Sequence, residues 1–236
     1  MNAIVPYFVK SAPPQLEIDL VADFSCPWSY LGKRRLERAL EALQGPGAPI
    51  VRWHTLRMVP TAATSSVPWQ AHLETRLPPG ITAEFAERSL AEAGREFGIT
   101  FNFNRLATMP ETVEAHRLVR LAARDGRQSA TAEAIFRAFF EQGRDIGAVA
   151  ELAKIGEECG LSADVLSAFR DTAQERDAVD RDEMRLKGFG VAAVPNLLLN
   201  GRILVSGAVD VPTYVQAIDQ AIFPQPPEES PQPTRH

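Results

Sequence analysis

Strand-type sequence is confined to the two ends of this chain, and that limits the fold more than any single motif does. "LEIDLVA" at 16–22 alternates apolar and polar side chains, as a half-buried strand requires. "IVRWHTLRMV" at 50–59 reads as a second strand after the break at "GPGAP". Near the other end, "VPNLLLN" at 194–200 and "RILVSGA" at 202–208 flank Asn200-Gly201, a strong two-residue hairpin signal. Strands split in this way must meet in one sheet.

The remainder reads as helix. "SYLGKRRLERALEAL" follows the first strand directly and sets Tyr30, Leu31, Leu36, Leu40 and Leu43 along one side, so the chain opens as a β-α-β unit. From about 61 to 187 only helical patterns appear. One carries Phe85, Ala86, Leu90, Ala93 and Phe97; another carries Phe136, Phe139 and Phe140 as core. A third places Val149, Leu152, Ala153 and Cys159 on a shared stripe, stops at Gly160, and is followed by Ser162 as an N-cap. A last helix has Pro212 near its first turn. The expected organisation is an α/β body from 14–60 and 188–222, a helical insertion over 61–187, and a disordered tail over 223–236, which has little to bury. A crevice between two lobes follows from that division.

Composition removes several function classes. A net charge of −5 gives no basic field for nucleic acid. No apolar run approaches the length of a membrane span. The N-terminus lacks the basic and apolar regions of a signal peptide, and two cysteines are too few for a disulfide framework, so a reducing, cytoplasmic setting is expected.

The chemistry points to "DFSCPWSYLG" at 23–32. Cys26 stands where a strand becomes a helix, and the unpaired N–H groups and dipole of a helix start favour an anion. A thiol in such a place can fall to a pKa of roughly 3.5–7.5, which predicts a Cys26 thiolate. Pro27 suits the first helical turn. Ser29 occupies the second position of a C-x-x-C pattern; its hydroxyl can donate to a thiolate but cannot attack a disulfide. Trp28 either lines a substrate groove or packs. Cys159 reads as core, and would serve as a resolving thiol only if its Cα lay within about 7 Å of that of Cys26. His54, His72 and His116 lack metal-ligand spacing, so no metal site is expected, and His116 reads as a packing or hydrogen-bonding residue. Lys33, Arg34 and Arg35 read as a solvated helical face, with a second use in drawing a carboxylate toward the helix. Arg57, on the second strand, would favour an anionic ligand if it faced the crevice.

"CPWSYLG", "AHRL" at 115–118 and "GVAAVPNLLLNGRILVSGA" at 190–208 together resemble the DsbA-like branch of the thioredoxin superfamily, in particular cytoplasmic FrnE-type oxidoreductases, over about 16–222. The resemblance implies a thioredoxin-like α/β fold with a large all-helical insertion. It makes Cys26 the nucleophile and Val194–Pro195 the cis-proline loop, whose backbone pairs with a bound peptide or glutathione. The chain departs from the family at Ser29, where a second cysteine is usual, and at Asn196, where threonine is. Kappa-class glutathione transferases and 2-hydroxychromene-2-carboxylate isomerases are similar too; their S-P-Y-S-like motif sets Cys26 on the serine that contacts the glutathione sulfur, and Ser29 on the motif's second serine.

The expected function is therefore a monothiol, glutathione-linked oxidoreductase. Cys26 and Ser29 would act in catalysis, with Pro27, Trp28, Val194, Pro195 and Asn196 around a small thiol, disulfide or peptide, in a chain able to form a homodimer. A glutathione-dependent isomerase or transferase and a non-catalytic peptide-binding module are the alternatives. Were Ser29 an engineered replacement for cysteine, ordinary dithiol chemistry would lead.

Overall fold

The computed structural model describes residues 17–43, 50–58, 67–199 and 201–223. Most of the expected 223–236 tail, and Asn200 of the hairpin, lie outside them. Strand β1 (Glu17–Ala22) runs parallel to β2 (Ile50–Thr55) and antiparallel to β3 (Asn196–Leu199), which pairs antiparallel with β4 (Arg202–Ser206). The order β2-β1-β3-β4 places the N-terminal β1 beside the C-terminal β3, as strands divided between the chain ends require. Strand β2 ends four residues before its apolar pattern does. The Asp182 carboxylate takes the Thr55 N–H at 3.0 Å and the Asp23 carboxylate takes the Met58 N–H at 2.7 Å, so Arg57 and Met58 leave the sheet.

Helix α1 (Pro27–Ala42) buries Tyr30, Leu31, Leu36 and Ala39, with Leu40 and Leu43 at its margin. Helices α2 (Trp69–Glu74), α3 (Ala83–Glu96), α4 (Val113–Ala122), α5 (Gln128–Phe140), α6 (Val149–Glu158), α7 (Ala163–Asp171) and α8 (Arg176–Gly188) fill the stretch between β2 and β3, and α9 (Val211–Ile222) closes the chain against α1. Ser162 caps α7, its hydroxyl accepting the Val165 N–H at 3.4 Å, and Gly160 ends α6 with φ +70°. Among the described residues no helix is long and apolar enough to cross a membrane.

One apolar core runs from Ile18 and Leu20 of the sheet, through α1, into α4, α5, α6 and α7. Phe136 joins the parts: its ring lies 4.9 Å from Phe24, 5.1 Å from Tyr30 and 6.2 Å from Trp53. Burying such a ring stabilises the fold by about 2–3 kcal/mol, so the helical segment is held by packing and not by its connections alone. A smaller cluster of Val21, Leu56, Leu186, Val191 and Leu198 seats the end of α8 on the sheet.

The helical stripes are narrower than their patterns imply. Phe85 and Val149 are exposed, and Cys159 is half-buried at the C-cap of α6 instead of lying in the core. The basic run of α1 also differs from the expected solvated face. Lys33 is 3 % exposed and bonds Glu37 at 2.7 Å and Glu133 at 2.6 Å; Arg34 reaches Glu133, and Arg35 donates to the Ala208 carbonyl. These cations lock α1 to α5 and to the segment before α9, because long aliphatic stems can be buried while their charged ends are paired.

Candidate active-site cleft

The β1–α1 junction sets the sulfur of Cys26. Its backbone remains extended (φ −98°, ψ 114°) and it is itself the N-cap residue of α1, with Pro27 opening the helix. Its N–H donates to the Asp23 carbonyl at 3.0 Å. Across from it the Val194–Pro195 peptide bond is cis, and Sγ lies 3.9 Å from the Val194 carbonyl oxygen. Gly32 makes this approach possible: a Cβ there would stand 2.9 Å from Pro195 Cγ and 3.2 Å from the Tyr214 hydroxyl. The glycine is legible in "SYLG", yet only the packed structure shows what it admits.

A cleft of about 750 Å³ opens over this junction. Cys26 and Trp28 line one side, Leu56, Arg57 and Met58 a second, Arg76, Leu77 and Pro78 a third, and Lys187 with residues 190–194 the last. Trp28 and Val194 therefore face the space as expected. Pro27, Pro195 and Asn196 do not line it: all three are buried. Asn196 is 3 % exposed and uses both ends of its amide inside the protein, donating to the Ala193 carbonyl and accepting from the Ser206 hydroxyl. It fixes the loop rather than meeting a ligand. Ser29 is also fully buried beside Cys26, and its hydroxyl accepts the Asp23 N–H at 3.4 Å.

Burial reverses the expected charge of the sulfur. Cys26 is only 1 % exposed, and desolvation pushes its thiol up to about 11. The Ser29 hydroxyl and the Ser29 and Trp28 amides pull toward the thiolate, but the Asp23 carboxylate adds to the rise. A helix start stabilises an anion only modestly, whereas removing it from water can shift a pKa by several units. The resting group is a protonated thiol. It is not sealed in the core, since it forms part of the cleft floor.

Three cleft cations bear on what could bind. Arg57 spans Glu183 at 2.6 Å and Asp180 at 2.7 Å, Lys187 bonds Glu183 at 2.6 Å, and Arg76 donates to the Met58 carbonyl. Arg76 and Lys187 come from the helical segment, where the sequence pattern gives helices but not which loop meets the sulfur. Cys159 does not line the cleft; its Sγ lies 3.9 Å from the Ala130 carbonyl, so the structure offers no support for it as a resolving thiol.

The profile of the DSBA-like thioredoxin domain matches residues 17–219, nearly the whole described chain. The chain belongs to that family. This DsbA-like chain is similar to the probable DsbA oxidoreductase SCO1869 of Streptomyces coelicolor, at 26% identity over 92% of this chain and 94% of that one, with a TM-score of 0.78. It shares its fold with the cytosolic disulfide reductase DsbM of Pseudomonas aeruginosa, solved with GSH, at 23% identity, 88% and 96% coverage and a TM-score of 0.60. It also shares the fold with a 2-hydroxychromene-2-carboxylate isomerase, at 14% identity, 88% and 94% coverage and a TM-score of 0.62. DsbA-like proteins of this group are oxidoreductases or isomerases, and the thioredoxin-like sheet with helices between its halves agrees with that membership.

Proposed function

We propose that this DsbA-like chain is a single-thiol, glutathione-linked oxidoreductase in which Cys26 exchanges disulfides with a small thiol held in the cleft. The observation that carries the reading is the placement of Cys26 Sγ on the cleft floor, 3.9 Å from the Val194 carbonyl, with Ser29 where a second thiol would have to stand. In the first step the Cys26 thiolate attacks a mixed disulfide of glutathione and a second thiol; a Cys26–glutathione bond forms and the second thiol leaves as its thiolate. A free glutathione thiolate then attacks the glutathione sulfur of that bond, releasing oxidised glutathione and restoring Cys26. The net reaction converts the mixed disulfide and one free glutathione into the second thiol and oxidised glutathione, and Ser29 takes no covalent part.

Arg76 suits a carboxylate of a tripeptide, Arg57 and Lys187 being already matched to Glu183 and Asp180, and Trp28 offers a flat apolar wall. Two free cysteines and a glutathione requirement fit a reducing compartment such as the cytoplasm. Because burial is the largest cause of the raised thiol, exchange requires the 190–194 side of the cleft to move enough for water or substrate to reach the sulfur. Intact-mass measurement after exposure to oxidised glutathione tests this: a single glutathione adduct, lost in Cys26→Ser, is expected, and its absence at every pH defeats the reading.

The protonated thiol favours one second reading. A neutral S–H beside a backbone carbonyl is placed as a hydrogen-bond donor, so Cys26 could hold the glutathione sulfur while an electrophilic or aromatic substrate isomerises or adds. That reading keeps activity in Cys26→Ser, which the exchange reaction cannot. Glutathione neither bound nor attached would leave a peptide-binding module.

A further inference from the structure

The charges around the cleft are distributed unevenly. On the α8 side they cancel: Arg57 pairs with Glu183 at 2.6 Å and Asp180 at 2.7 Å, and Lys187 shares Glu183 at 2.6 Å. Arg57, the cation that the second strand offers for an anionic ligand, thus faces the cleft already matched. The side formed by Arg76, Leu77 and Pro78 differs. Arg76 is exposed and lines the cleft; among the described residues its guanidinium has no carboxylate partner and donates to the Met58 carbonyl.

An exposed arginine without an anion is ordinary on a protein surface, but this one is tethered to the reacting residue. Its N–H donates to the Leu73 carbonyl at 2.9 Å and closes the turn after α2. The Met58 residue that takes its guanidinium is itself held, its N–H bound by the Asp23 carboxylate at 2.7 Å. The Asp23 carbonyl in turn accepts the Cys26 N–H at 3.0 Å. Three hydrogen bonds therefore run from the cation to the backbone of the cysteine. A guanidinium carries five N–H donors in a fixed fork, so one carbonyl leaves most of them for a ligand. Trp28, Leu77, Pro78 and Val194 supply apolar wall around the same cleft, and such walls focus the field of an unmatched charge. The chain as a whole carries a net charge of −5, so attraction of an anion has to come from a local cation.

We propose that Arg76 is a specificity-determining residue of the cleft, selecting thiols and disulfides that carry a carboxylate on a flat or apolar body over uncharged ones. Arg76 makes and breaks no bond; it holds the carboxylate while Cys26 reacts. The proposal rests on the exchange reaction at Cys26 and widens its substrate class, of which glutathione is one member.

Two aromatic disulfides test it in the full chain with Cys159→Ser, so that Cys26 alone reports. Dithiobis(nitrobenzoate) carries a carboxylate on each ring; dithiodipyridine is uncharged at neutral pH. With either, the Cys26 thiolate attacks one sulfur, a bond from Cys26 to that sulfur forms as the probe's S–S bond breaks, and the other half leaves as a coloured thiolate. The readout is the ratio of the two rates, in which changes in the ionisation or access of Cys26 cancel. Arg76→Gln is expected to lower the ratio of charged to uncharged probe about fivefold, and Arg76→Glu about twentyfold. A fall beyond about twofold in Arg76→Gln with a further fall in Arg76→Glu supports the proposal, and any other pattern of ratios overturns it. A parent chain that reacts with neither disulfide overturns the exchange reading and this proposal together. A shifted ratio without a glutathione adduct removes glutathione alone.

Discussion

The behaviour of Cys26 is a contest between a helix start that favours the thiolate and a burial that opposes it, and burial prevails. The α1 amides and the Ser29 hydroxyl favour the thiolate, but desolvation and Asp23 outweigh them and raise the thiol to about 11. At pH 7 about one thiol in ten thousand is then ionised. Alkylation of Cys26 should keep accelerating up to about pH 11, and a plateau below pH 9 would show that burial does not govern the sulfur. Gly32 is the second decisive residue. Alanine normally favours a helix interior over glycine by about 1 kcal/mol. Here the added Cβ meets the Pro195 ring at 2.9 Å, and overpacking of that kind costs about 1–3 kcal/mol. Gly32→Ala is therefore expected to lower stability in denaturant titration and to quicken Cys26 alkylation as the 194–195 loop is displaced. A more stable variant with unchanged alkylation would remove the glycine from the site's construction.

At the scale of elements, α8 carries one cleft wall and is clamped to the sheet by charge. His54 of β2 lies between Asp19 of β1, 2.9 Å from Nε2, and Asp182 of α8, 3.0 Å from Nδ1. Burial opposes a charged imidazole, but the two carboxylates raise His54 to about 9, while His54 and the Thr55 amide hold Asp182 down near 2 against the same penalty. The His54 contribution is fully present below its unfolded pKa of about 6.5 and is lost as pH rises through about 9. The Asp182 contribution is present above its unfolded pKa and is lost as pH falls toward about 2. Both describe one interaction, with an upper bound of about 3 kcal/mol. Stability measured by denaturant should therefore fall between about pH 6.5 and 9, and His54→Gln should flatten that slope. Arg117, of the same "AHRL" segment as His116, ties α4 to the end of α7 and to the segment that leads into α8. It donates to the carbonyls of Phe169, Thr172 and Gln174, pairs with Glu114 at 2.7 Å and lies over the Phe169 ring at 4.5 Å. Arg117→Ala should cost about 3 kcal/mol through the carbonyls and carboxylate it leaves unpaired, whereas an effect under about 0.5 kcal/mol would make the contacts incidental.

At the scale of the whole molecule, the continuous core decides how the chain unfolds. Phe136 packs on residues of both β1–α1 and β2, so the sheet and the helical segment share apolar contacts rather than meeting at a polar seam. Tryptophan fluorescence and far-ultraviolet circular dichroism should then report one coincident transition, and two separate midpoints would show independent bodies. The sequence by itself determined the α/β class, the pairing of strands from opposite chain ends and the position of Cys26 at a helix start, because periodicity and capping act over a few residues. It also carried the basic run of α1 and Asn196, but gave them the wrong surroundings: Lys33 proved buried against Glu133, and Asn196 turned inward. Only the tertiary structure decided that Arg76 and Lys187 line the same cleft as Cys26, that Asp23 meets His116, and that the thiol stays protonated. Solvation and charge depend on what surrounds an atom in three dimensions, and the groups surrounding this sulfur come from segments far apart in the chain.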